Sequence, residues 1–238
     1  MTISGNVAVV CVDMQGGIID PSSQFYNPGY NEMLVRGRCL LDYCREINVP
    51  ICFLQEVHRE SGMDFGRELE GDENVHCIET NPFTAVAEDI LGRNPEKEPL
   101  IPKRRYSGFL YTDLEVVLSG FGIHPHDTLI LIGGFTDVCV HYTFVDAHQR
   151  DYRLRVVTDI LEGSSERASA AALEAMHYLQ HDALVTLDEV LAELEEWHGN
   201  HPAGVSSPER DARYVAKLAA SGTYTGQVHR KNWQPHFL

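Results

Sequence analysis

The stretch Leu131–Asp151, LIGGFTDVCVHYTFVDAHQRD, decides the fold. An apolar strand from Thr128 to Ile132 runs into Gly133-Gly134, and a polar turn then opens a helix near Val138 that is expected to reach Arg150. Cys139 therefore stands at a strand-to-helix junction. Parallel sheets place reactive groups beyond the carboxyl ends of their strands, and a helix amino terminus favours thiolate over thiol through its dipole and free N–H groups. Cys139 is thus either a nucleophile or a buried structural cysteine, since a free thiol also packs as a small hydrophobe.

Two upstream stretches bear on that choice. Asn6–Val12, NVAVVCV, is a continuous run of apolar, mostly β-branched residues ending in Asp13, which predicts a first strand covered on both faces with a carboxylate at its carboxyl end. A helix over Asn31–Ile47 and a second strand over Val49–Leu54 follow; the strand closes with Gln55-Glu56-Val57-His58, and a polar loop then runs to about Asn81, too long for a plain connector. Pro82–Leu91 suits a short helix, and Leu100-Ile101-Pro102 a brief strand that delivers Lys103. A helix from Leu114 to about Ser119, strands over Arg153–Thr158 and Ala183–Thr186, an Ala-rich helix capped by Ser164 or Ser165, and a helix over Leu187–Trp197 complete the pattern. Strands alternate with helices, so the reading is an α/β fold: a three-layer, doubly wound, parallel six-stranded sheet flanked by helices. Domain 1–197 carries this pattern. Residues 198–238 read as an arm, with a short helical stretch over Glu209–Ala220 and exposed aromatics Tyr224, Trp233 and Phe237, expected to pack on the core or on a neighbouring subunit of a homo-oligomer.

Composition narrows the function. The chain has 238 residues, 43% of them hydrophobic, and a formal net charge of -16, which disfavours nucleic acid as a partner because phosphate binding needs a basic surface. No uninterrupted apolar run approaches the roughly 18 residues of a membrane-crossing helix, and the first residues lack a basic leader, so a cytoplasmic protein without a membrane partner is expected. The six cysteines form no CxxC pair and lie mostly in apolar runs, which fits reduced thiols without disulfides.

Asp13, Lys103 and Cys139 each have a plain explanation: a turn cap, the start of a solvated basic run, a core residue. Together they bring an acid, a base and a thiol to one edge of a parallel sheet. The stretches VCVDMQ, IPKRRYSGFLYTDL and LIGGFTDVCVHYTFVDAHQRDYRLRVVTD resemble, in order, the three signatures of the isochorismatase-like cysteine hydrolases, a family that includes nicotinamidases, N-carbamoylsarcosine amidase, ureidoacrylate amidohydrolase and biuret hydrolase. The resemblance spans about Asn6 to Trp197 and implies strand order 3-2-1-4-5-6. It also implies a triad of Asp13, Lys103 and Cys139, an oxyanion hole from the backbone N–H groups of Phe135 and Cys139, and a cis peptide at Gly134-Phe135. The implied chemistry is attack of Cys139 on the carbonyl of a small carboxamide or N-carbamoyl (ureido) compound, with Asp13 as base and then acid, Lys103 favouring the ionised forms of its neighbours, and a thioester between the two steps. Family members are commonly dimers or tetramers.

In nicotinamidases an Asp-x-His after the second strand and a later His bind a metal. The corresponding places here read Glu56-Val57-His58 and His76, which either hold zinc or iron or else contact substrate polar atoms and organise the loop. The thiol chemistry itself requires no cofactor. Arg59 and Arg67 either meet a substrate carboxylate or are neutralised by Glu60, Glu68 and Glu70. Phe25, Tyr26, Phe109 and Phe135 either wall the substrate pocket or belong to the core. Two other readings stand beside amide hydrolysis: vinyl-ether hydrolysis of the isochorismatase type, which needs no cysteine, and a non-catalytic oligomeric scaffold. The presence of the cysteine favours C–N cleavage over the first, and an intact triad argues against the second.

Overall fold

β1 (Val7–Val12) is buried at all six positions, as an uninterrupted apolar run requires when both faces of its sheet are covered. The computed structural model describes residues 3–23, 25–26 and 28–205. Around β1 lie β2 (Ile51–Glu56), β3 (Leu100–Lys103), β4 (Thr128–Gly134), β5 (Arg153–Glu162) and β6 (Leu184–Val185), all parallel in the order β3-β2-β1-β4-β5-β6. The expected α/β topology is therefore the observed one. The flanking helices are α1 (Gly29–Glu46), α2 (Glu88–Leu91), α3 (Leu114–Gly120), α4 (His141–His148), α5 (Glu166–Leu179) and α6 (Leu187–Asn200). Ser165 caps α5 through Ala168 N–H, and Thr186 and Glu189 form a reciprocal capping box on α6.

Three elements differ from the pattern-based reading. Pro82–Leu91 is not one helix: Pro82–Thr84 makes a single 3-10 turn, Ala85 is extended, and α2 begins only at Glu88. The chain there pairs instead with the segment after β1, Gly16 N–H donating to Ala85 O and Ala87 N–H to Met14 O. The helix expected from Val138 begins as a wide π turn, Thr136–Val140, before α4. Finally, the compact unit runs to Val205 rather than Trp197. Trp197 Nε1 donates to Gly5 O at 2.8 Å, the His201 ring stacks on Trp197, and Val205 N–H donates to Asn48 O. Residues 198–205 thus belong to the core, whereas the remainder of the predicted arm lies outside the described residues. Among the described residues, no helix is long and apolar enough to cross a membrane, and all six cysteines are free.

The close approach of β1 and β4 depends on one glycine. Gly133 has φ +119°, and a Cβ there would stand 2.0 Å from Val12 O. Gly133→Ala therefore combines backbone strain with a collision against a strand that cannot yield, at a cost of about 3 kcal/mol or more. We expect Tm to fall by roughly 6 to 12 °C in a thermal scan; an unchanged Tm would mean that β1 and β4 separate without penalty.

Candidate active site

Strand order reverses direction at β1 and β4, and the crevice beyond their carboxyl ends collects the reactive groups. Asp13 follows β1 with φ 48°. Its Oδ1 accepts from Glu56 N–H at 2.9 Å, and its Oδ2 lies 2.7 Å from Lys103 Nζ. Glu56 and Lys103 end neighbouring strands in register, and their side chains meet at 2.9 Å. Lys103 Nζ also lies 3.3 Å from Cys139 Sγ, and Sγ lies 3.5 Å from Glu56 Oε2. Ligand atoms of Asp13, Glu56 and Cys139 all fall within 4.8 Å of one another. The three residues singled out in the sequence thus converge, and a fourth, Glu56, joins them.

Lys103 is wholly buried. Burial works against its charge, yet the surrounding Asp13, Cys139 and Glu56 hold its pKa well above the ordinary lysine value. The two carboxyls diverge. Burial pushes Asp13 up, with Lys103 offsetting part of the rise. Burial acts on Glu56 in the same sense but is outweighed by Lys103 and by hydrogen bonds from His58, His76 and Lys103, which leave it well below the usual carboxylate range. At Cys139 burial works against the helix-terminus effect and raises the thiol well above the ordinary value, with Lys103 opposing that rise.

Cys139 lines a cavity of about 70 Å³, together with Asp13, Glu56, Phe25 and Phe135. Phe25 meets the Phe135 ring edge-on at 6.0 Å and that of His76 at 5.6 Å. The Gly134–Phe135 peptide is cis. Other expected contacts lie elsewhere. Phe109 is buried against Tyr152 and under the Arg150 guanidinium, 4.8 Å from its ring, so it belongs to the core. Arg67 is on an exposed turn, paired with Glu70 at 2.9 Å, and Arg59 is exposed; neither lines the cavity, nor does Tyr26. The long loop turns these arginines outward because Asp64 binds it down, accepting from Arg59 N–H and from Arg104 Nε.

Residues not singled out from the sequence complete the site. Gln15 holds Glu56 in place, accepting from its N–H at 2.9 Å and donating to its carbonyl at 3.1 Å. Its position two residues past Asp13 was the available signal. Glu73, Tyr30 and Phe83 also line the cavity, but they come from loops and helix ends whose return to the site no local pattern encodes.

Glu56, His58 and His76 form a buried group able to hold a metal. Both Nε2 atoms converge on Glu56 Oε1, at 3.4 and 3.2 Å, spacings close to the edge of a tetrahedral zinc shell with ligand bonds of about 2.0–2.1 Å. His76 Nδ1 faces Asn74 O at 2.5 Å, an outer partner of the kind that orients a ligating imidazole, whereas His58 Nδ1 lies 3.7 Å from Asp64 without a hydrogen bond. Glu56 Oε2 remains on Lys103. The residues therefore fit such an ion.

Reactive side chains at the topological switch point of a doubly wound sheet place the chain in a large class of α/β enzymes that share this layout. Within that class the chain belongs to the isochorismatase family, whose isochorismatase domain matches residues 7–188. Maleamate amidohydrolase of Pseudomonas putida is 26% identical over 157 residues, covering 64% of this chain and 70% of that protein. Ureidoacrylate amidohydrolase of Rhizobium rhizogenes is 28% identical over 167 residues, covering 61% and 65%. A cysteine hydrolase from Pseudomonas syringae pv. phaseolicola superposes with TM-score 0.73 and 25% identity over 82% of this chain and 98% of its own.

Proposed function

We propose that the protein is a cysteine-dependent amidohydrolase that cleaves a C–N bond of a small carboxamide or N-carbamoyl compound through a thioester. The observation that carries this reading is the contact of Cys139 Sγ with Lys103 Nζ at 3.3 Å, in a cavity that Asp13 also lines. The amidohydrolases among the relatives favour the same bond.

Of the two carboxylates beside the thiol, Asp13 is the base. Its raised pKa makes it the better proton acceptor, whereas Glu56 is held ionised by Lys103 and the histidines. The thiol proton passes to Asp13 as Sγ bonds to the carbonyl carbon. The oxyanion is met by the backbone N–H groups of Phe135 and Cys139. Asp13 then protonates the departing nitrogen, which leaves as ammonia or an amine as the C–N bond breaks. Water gives its proton to Asp13 and attacks the thioester, and the acid departs as the thiol is restored. Lys103 keeps Asp13 and Sγ in place and offsets the negative charge that moves between them.

Zinc or iron, when bound, would supply a Lewis acid for a polar atom of the substrate, held by Glu56, His58 and His76. Titration calorimetry is expected to find one Zn²⁺ site per chain, lost in His58→Ala and in His76→Ala. Absence of uptake by the native protein would leave these side chains as organisers of the loop.

The direct test of the amidase reading is ammonia release from a panel of small amides and ureides, with and without chelator. Release from at least one compound, absent in Cys139→Ala, is the expected result. Hydrolysis of a vinyl ether with no ammonia from any amide would replace this reading with the isochorismatase reaction.

A further inference from the structure

Three side chains lining the Cys139 cavity are carboxylic acids, Asp13, Glu56 and Glu73, and none is a lysine or arginine. An adjoining chamber shares Phe25, His76, Cys77 and Phe83 and adds only uncharged side chains, such as Ser22, Ile78 and Asn81. Lys103, beneath the floor, faces Asp13 and Glu56. Glu73 is farther out, where its Oε2 accepts from the Tyr106 hydroxyl at 3.1 Å and lies 4.0 Å from His76 Nε2. With His76 charged, the carboxylates still outnumber the two cations. A divalent ion on Glu56, His58 and His76 would bring the site only to neutrality.

The arginines around the mouth do not alter this balance. Arg104 is held by Asp64 at 2.6 Å, Arg105 by the Asp64 carbonyl at 2.9 Å, and Arg67 by Glu70. Neither these three nor Arg59 lines either chamber. Among the described residues, therefore, no lysine or arginine lines either chamber to receive a substrate carboxylate, and His76, which does, is already shared by Glu56 and Glu73.

Building on the amide hydrolysis proposed above, we infer that the substrate is an amide without negative charge whose far end is a hydrogen-bond donor, an ammonium in the strongest case, seated against Glu73. A carboxylated amide would bring a fourth negative charge into a partly dry pocket, where juxtaposed like charges are strongly disfavoured. An ammonium finds the Glu73 carboxylate and the aromatic faces of Phe25 and Phe83 instead.

Three amides of matched chain length test this: β-alaninamide as the cation, butyramide as the neutral compound and succinamate as the anion. Their binding is measured by calorimetry on Cys139→Ala, and their hydrolysis as ammonia released by the native protein. On Cys139→Ala, β-alaninamide is expected to bind most tightly and succinamate at least about tenfold more weakly. Adding Glu73→Gln should bring β-alaninamide to the level of butyramide, and Glu73→Lys should turn the preference toward succinamate. Succinamate binding as tightly as β-alaninamide, a ratio unmoved by Glu73→Gln, or no binding of β-alaninamide would each overturn the inference. The predicted binding order with no ammonia from any of the three would support the charge selectivity while removing the hydrolysis on which it was built.

Discussion

Replacement of Cys139 by alanine should lower amide hydrolysis by about 10⁴-fold or more, because of the two thiols that line the cavity, Cys77 and Cys139, it is Cys139 that touches Lys103. The side chain is small and nearly buried, so removal of its sulfur leaves a fold of almost native stability, and Tm separates loss of chemistry from loss of structure. Rapid quenching of the native protein with substrate, followed by intact-mass measurement, should show an acyl adduct on the peptide containing Cys139. Cys139→Ser should show neither adduct nor turnover, since an alcohol in the same place is a far poorer proton donor to Asp13 than a thiol. Because burial raises the thiol pKa, general alkylation at neutral pH is a weak discriminator, and substrate-dependent acylation is the sharper one. Activity that survives in Cys139→Ala would transfer the chemistry to the cysteine-independent vinyl-ether reaction or to another group.

Lys103→Met should have the largest effect on stability. It removes the one cation between Asp13 and Glu56, whose carboxylates meet it at 2.7 and 2.9 Å, and leaves two like charges at the floor of the cavity. Breaking a buried pair in this way costs about 3–5 kcal/mol. The pH dependence should also change sign. In the native protein Glu56 has a depressed pKa, so its contribution is present above the unfolded carboxyl value of about 4.3 and is lost as pH falls through the folded value. Without Lys103, burial and mutual repulsion raise both carboxyl pKa values. The variant is then relatively stabilised at low pH and loses that stability as pH rises through the raised values. Calorimetry from pH 5 to 8 should find the Tm gap between native and variant widening with pH. A constant gap would mean that Asp13 and Glu56 are not held in place by this lysine, and undiminished ammonia release would remove Lys103 from the mechanism.

Much of the site was legible in the chain because its parts lie at strand ends. A continuous apolar run that stops at a polar residue marks the carboxyl end of a buried parallel strand, so Asp13, Lys103 and Cys139 could be placed on one edge before any distance was known. The candidate metal set of Glu56, His58 and His76 came from the resemblance to nicotinamidases. Less visible was that Glu56 would turn one oxygen to the histidines and the other to Lys103 and the thiol, since that depends on the register of β2 against β3. Arg67 and Phe109 illustrate the opposite error: side chains of suitable chemistry, near the site in sequence, are directed away by Glu70 and by Arg150 with Tyr152.

By itself, then, the sequence determined the strand–helix alternation and the polar residues that stand at strand ends, because hydrophobic period and strand termini are local properties of the chain, whereas the strand order was implied by the family resemblance. Tertiary structure alone decided that burial and Lys103 shift the two carboxyls in opposite directions, that the Cys139 thiol is buried, that Glu73 lines the cavity and that the nearby arginines do not. Those outcomes depend on burial and on the convergence of segments far apart in the chain, such as Glu56 and Cys139, separated by 83 residues, and electrostatic energies between such groups are set by distance and solvent exclusion rather than by neighbours in the chain.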